Sequence, residues 1–206
     1  GMSLDDLVFL VGEGSGLVQD CVGNSHLAKI MHEAAETGEK HLLAIQADPD
    51  CEEAALPLVQ EYARTERWRE AEPLAEMLVK KSKGRDRSEQ HALYKTLGKV
   101  HAALGNHERA LKAYQTAIIR DPGQGEAHLR LAQMLIDRGQ TGEAIKHLST
   151  ATNNAPAAAR WTSEAYYLLG TNALKLNQRE RGIGALKKYI AENMAAIKLE
   201  IENENK

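Results

Sequence analysis

The chain has 206 residues, of which 43% are hydrophobic, 4% aromatic and 27% charged, with a formal net charge of −3; this is soluble composition with room for a sizeable core. The longest early apolar run, Leu7 to Val11, is too short for a membrane span or a secretory core and follows Asp5 and Asp6 instead of a basic flank. The mild acidic excess argues against a general nucleic-acid binder.

The chain begins Gly1-Met2, which reads as a tag remnant before the native start. Residues 1–51 carry nine acids and two bases, a net −7, while the remainder nets +4. This contrast suggests an acidic N-terminal segment that is solvated or docks on the basic remainder. A short helix is expected from Leu4 to Val11, followed by a flexible turn, Gly12-Glu13-Gly14-Ser15-Gly16. The turn lacks dinucleotide-loop spacing, and no βαβ unit surrounds it. From Ser25, a candidate N-cap, to Ala47 the apolar residues Leu27, Ile30, Met31, Ala34, Ala35, Leu42, Leu43 and Ile45 follow helical spacing. Asp48-Pro49 ends that stretch. Residues 1–51 are read as an acidic capping segment or degenerate repeat. The two cysteines, Cys21 and Cys51, form no metal-ligand pattern. They are read as reduced thiols in a reducing, cytoplasmic setting, although a bridge between them stays geometrically open.

From residue 52 onward the sequence repeats itself. Asp121-Pro122 and Ala155-Pro156 lie 34 residues apart, and the same offset relates Leu97 to Leu131, Gly105 to Gly139, Ala110 to Ala144 and Ala117 to Ala151. A frame moved back from Leu97 reaches Leu58 and Ala71, and one moved forward from Leu131 reaches Leu169 and Gly182. The units span 52–85, 91–124, 125–158 and 163–196, with inserts at 86–90 and 159–162. Each unit reads as two helices broken by a turn such as Gly105-Asn106 or Gly139-Gln140. Proline at the unit's end stops the second helix. Leucine next to a small residue, as in Leu97-Gly98 and Leu131-Ala132, lets helices lie close. A helix pair cannot bury its own apolar face, so pairs must stack.

The second unit reads Tyr94, Leu97, Gly98, His101, Ala110, Tyr114, Ala117, Pro122, and the third His128, Leu131, Ala132, Leu135, Ala144, Leu148, Ala151, Pro156. On these residues the chain resembles the tetratricopeptide-repeat family. The resemblance implies an all-α fold, a right-handed α-solenoid of stacked antiparallel helix pairs. It also implies a scaffold or adaptor that binds protein in its concave face, lined by the first helix of each repeat. Mapped onto this sequence, that groove comprises Gln60 in the first repeat, with Leu56 and Arg64. The second contributes Lys95 and Lys99, and the third Arg130, Gln133 and Asp137 with Glu126. Tyr167, Thr171 and Lys175, with Glu164, come from the fourth. These groups suit an extended peptide or a partner helix with acidic groups. The family's clamp for acidic chaperone tails is matched by Lys95 alone of its five residues.

The last helix runs on as a capping helix over 179–203. Ile183, Leu186, Ile190, Met194, Ile197 and Ile201 recur at steps of three or four, opposite Lys187, Lys188, Glu192, Lys198, Glu200 and Glu202. This apolar stripe is expected to cover the final core; its rival use is packing against a second copy in a homodimer. The basic run Lys80, Lys81, Lys83, Arg85, Arg87 is read as cations at a helix C-terminus, without aromatic platforms for nucleic acid. The histidines lack helical zinc-site spacing, and no phosphate loop or nucleophile elbow occurs. No catalytic residue, metal or cofactor is expected.

Overall fold

The structure, a computed structural model, describes residues 39–49, 51–155, 159 and 161–204. The expected short helix at Leu4, the glycine turn and most of the 25–47 segment lie outside them. Among the described residues there are helices and no strands: α1 Glu39–Ala47, α2 Glu52–Arg64, α3 Trp68–Lys81, α4 Arg87–Ala103, α5 His107–Arg120, α6 Gly125–Asp137, α7 Thr141–Asn153, α8 Thr162–Lys175 and α9 Arg179–Glu204. They fall into two compact units that divide after Asn106.

In the first unit, α1 packs on α2, α2 on α3 and α3 on α4. Glu52 and Glu53 open α2, where carboxylates favour the N-terminal end of the helix dipole. Ala54, Ala55, Leu58, Val59 and Tyr62 of α2 are buried with Ala71, Ala75 and Leu78 of α3 and Leu93, Leu97 and Val100 of α4. Each large side chain so buried stabilises by roughly 1.5–3 kcal/mol. Residues 87–90, read from sequence as part of an insert, are helical and begin α4. Asp86 caps that helix by accepting from the Ser88 N–H at 2.9 Å. The Gln90 amide nitrogen donates to the Ser82 and Arg85 carbonyls, each at 3.0 Å, and so ties the preceding loop to the helix.

In the second unit α5 packs on α6, α6 on α7, α7 on α8 and α8 on α9. Leu129, Leu131, Ile145 and Leu148 are its most deeply buried large side chains. Small residues decide how close the helices come. A Cβ on Gly170 would lie 2.6 Å from Leu186 Cγ, and one on Gly182 would lie 2.6 Å from Leu174 Cγ and 3.0 Å from the Gly170 carbonyl oxygen. The expected inward stripe of α9 is accordingly corrected. Gly182 and Ala185 are buried, whereas Ile183, Ile190 and Met194 are 44%, 54% and 66% exposed. The glycine contact sets the rotation of the helix, and that rotation turns Leu186 toward Gly170 and leaves Ile183, Ile190 and Met194 outside.

The turns inside the four helix pairs share one device. Glu66, Gly105, Gly139 and Asn177 all have positive φ, at 58°, 75°, 75° and 58°. The next residue's N–H bonds back to the helix: Arg67 to Tyr62, Asn106 to His101, Gln140 to Leu135 and Gln178 to Ala173, at 2.8 to 2.9 Å. This left-handed cap uses carbonyls that the helix end leaves without partners. The offsets between the four positions equal those of the sequence repeat.

Cys51 corrects the reduced-thiol reading. It is 2% exposed and disulfide-bonded, and the sequence holds one other cysteine, Cys21, outside the described residues. Its sulfur therefore has no proton to give Glu53 Oε2, 3.7 Å away. Spacing along the chain cannot distinguish a bridge from two thiols, because bridging depends on three-dimensional approach.

Candidate functional site

In the second unit, α6 and α8 bring predicted groove residues together. Arg130 Nη1 donates to Gln133 Oε1 at 3.0 Å and to Glu164 Oε2 at 3.2 Å, and Gln133 Nε2 donates to Glu164 Oε1. The three side chains lie on first helices of successive repeats and are half-buried. Arg130 and Gln133 share a face of α6 because they are three residues apart. The result is a polar layer with a guanidinium, an amide and a carboxylate, able to donate to peptide carbonyls and accept from peptide N–H groups. Arg130 is not a loose cation, however, since Glu164 meets its charge.

The other predicted residues are distributed around this layer. Tyr167 is 47% exposed and its ring lies 5.4 Å from that of Tyr189 on α9. The Thr171 hydroxyl donates to the Tyr167 carbonyl at 2.9 Å, so its proton is committed within α8. Asp137 and Lys175 are exposed at the ends of α6 and α8. Behind the layer, Tyr114 is buried, and burial pushes its hydroxyl up to about 12, ahead of the opposing influence of Arg130. A Ser163 hydroxyl bond to Glu192 at 2.9 Å fastens α8 to α9.

The first unit holds Gln60, Lys95 and Lys99. Gln60 and Lys99 are exposed and Lys95 is half-buried. Lys99 Nζ lies 5.7 Å from the centre of the Trp68 ring, a cation–π contact that holds the ammonium against α3. The sequence reading did not find this contact, which joins residues of different helices. Of the basic run that closes α3 and continues through the following loop, Arg85 is paired with Glu52 and lies 3.5 Å from Glu89, so this cation ties the loop to α2 and to the first turn of α4.

Two histidines expected at packed positions have polar company. His128 Nε2 lies 3.1 Å from the Pro122 carbonyl oxygen, which can only accept, so that nitrogen carries the proton. His128 Nδ1 is then the acceptor for His147 Nδ1–H, 2.8 Å away. Burial, then the neighbouring His128, hold His147 below the usual histidine range. His101 is 4% exposed and faces Glu72 and Glu76. Among the described residues no helix is long and apolar enough to cross a membrane.

Comparison with known proteins bears on the fold. A tetratricopeptide-repeat profile matches residues 101–163. Human protein O-mannosyl-transferase TMTC1 is 35% identical over 94 residues, which is 46% of this chain and 10% of that protein. The chain thus spans about a tenth of that relative's length. The crystal structure of MamA aligns with a TM-score of 0.65 at 17% identity, over 96% of this chain and 99% of that one. YrrB, described as a TPR protein with an unusual peptide-binding site, aligns with a TM-score of 0.58 at 20% identity, over 84% and 81% of the two chains.

Proposed function

We propose that the chain, whose residues 101–163 match a tetratricopeptide-repeat profile, is a non-catalytic interaction scaffold whose first-helix faces bind an extended peptide or a partner helix. The observation that carries this reading is the Arg130–Gln133–Glu164 layer joining α6 to α8. Its groups can pair with backbone amides of a bound segment, and half-exposed Tyr167 beside it adds an apolar ring. Asp137, Thr171 and Lys175 flank it. YrrB's peptide-binding site supports such a use of the fold. The activity named for the human relative does not enter, because the match covers a tenth of that protein.

Recognition differs between the units. In the second, Glu164 already balances Arg130, so hydrogen bonding outweighs net charge. In the first, Lys95 and Lys99, with Gln60, favour acidic groups. Partner capture by wild type, by Arg130→Ala/Gln133→Ala/Tyr167→Ala and by Lys95→Ala/Lys99→Ala tests the reading. A purified captured partner should lose about tenfold or more in affinity with the first variant, while circular dichroism stays unchanged. Wild-type affinity in both variants overturns it.

A second reading, self-association through α9, is favoured by the exposure of Ile183, Ile190 and Met194. Residues 179–188 net +3 and 189–204 net −3. An antiparallel pair of such helices sets the basic half of each against the acidic half of the other. The expected cytoplasmic placement belongs to the proposal as well, and a Cys51 disulfide weighs against it.

A further inference from the structure

We propose that Glu72, Glu76 and His101 form a divalent-cation site in the first unit, suited to zinc. Glu72 and Glu76 are four residues apart on α3, so both carboxylates project from one face. His101, from α4, faces both: its Nδ1 is 3.2 Å from Glu72 Oε1 and its Nε2 is 3.9 Å from Glu76 Oε1. One ligand atom from each of the three residues lies within 4.8 Å of the others.

The histidine is the telling member. It is 4% exposed, and its Nδ1 is buried with no hydrogen-bond partner. A neutral imidazole has one N–H and one lone pair, while an ionised carboxylate only accepts. With a carboxylate near each nitrogen, one nitrogen must set its lone pair against an oxygen lone pair. A cation coordinated by the imidazole and both carboxylates removes that conflict. Asn106 Nδ2 donates to Glu72 Oε1 at 3.4 Å and so orients one ligand from behind.

Two carboxylates and one imidazole match zinc's donor preferences and leave a fourth position open. Zinc bonds of about 2.0–2.2 Å put tetrahedral donors roughly 3.4 Å apart. Closing the cluster therefore takes small rotations of Glu72 and Glu76, whose side chains are 26% and 46% exposed. The sequence reading dismissed metal because it sought ligands at short spacing; here they come from two helices.

The test is calorimetric titration of the chelator-treated chain with zinc, kept unreduced so that no thiol competes, beside thermal melting. Wild type should bind one more zinc than Glu72→Gln/Glu76→Gln, and zinc should raise its melting temperature. The variant should lose that stabilisation and about tenfold or more in affinity. His101→Gln, checked by circular dichroism, should do the same. Equal stoichiometry and equal zinc-induced shifts in wild type and the carboxylate variant overturn the site. So does an absence of zinc binding by wild type.

Discussion

Glu66 shows what a single residue decides. It holds the left-handed conformation that Gly105 and Gly139 hold in the equivalent turns, at φ 58°. A side chain there costs roughly 1–2 kcal/mol, part of which glycine's greater unfolded-state freedom offsets. Glu66→Gly should therefore stabilise by about 0.5–1 kcal/mol in urea unfolding, with an unchanged slope. His147 supplies a pH prediction. Its folded-state value is depressed by burial and by His128, so the unfolded chain takes up the proton first as pH falls. The stabilisation is complete above the ordinary histidine value of about 6.5 and declines below it. Melting temperature should fall as pH drops from 7 toward 5, and His147→Gln should flatten that slope. Proline shows context at this scale: Pro122 follows the end of α5, whereas Pro57 and Pro73 sit inside α2 and α3 without ending them. Chain-stopping by proline was readable only where the turn agreed with it.

At the scale of elements, two glycines of α9 give opposite expectations. Gly182→Ala gains about 1 kcal/mol of helix propensity but drives a Cβ to 2.6 Å from Leu174 Cγ. Overpacking costs roughly 1–3 kcal/mol, so the net should be a loss. Gly184→Ala meets nothing within 4 Å, so the propensity gain of up to about 1 kcal/mol should appear as stabilisation. Denaturation midpoints of the two variants should move in opposite directions. The same close approach explains why the repeat was legible. Small residues and turn glycines recur because helix crossings and left-handed turns admit little else. The facing of α9 was not legible, since its periodic apolar residues suit either an inward or an outward stripe. Packing against α8 chose between them.

For the whole molecule, the exposed α9 stripe predicts association. The helix has 26 residues against 14 in α8. At 1.5 Å per residue it is about 18 Å longer than its neighbour, so part of it lacks cover from α8. Light scattering across a range of concentrations should show a mass rising toward a dimer, and Ile183→Lys/Ile190→Lys should restore the monomer mass. A wild-type mass that stays at one chain at every concentration excludes this use of the stripe.

The sequence by itself determined the helical class, the period, the turns and the first-helix faces, because each follows from local geometry: apolar spacing, small residues at crossings and glycine at positive φ. It also assigned Arg130, Gln133, Tyr167 and Lys99 to the first helices of their repeats, which is where the structure has them. Only the tertiary structure decided what they touch. It set Glu164 against Arg130, laid Lys99 over Trp68, gave Cys51 a disulfide and gathered Glu72, Glu76 and His101 from two helices. Such contacts join residues far apart in the chain, and their formation depends on helix rotation and distance, which hydrophobic periodicity leaves open.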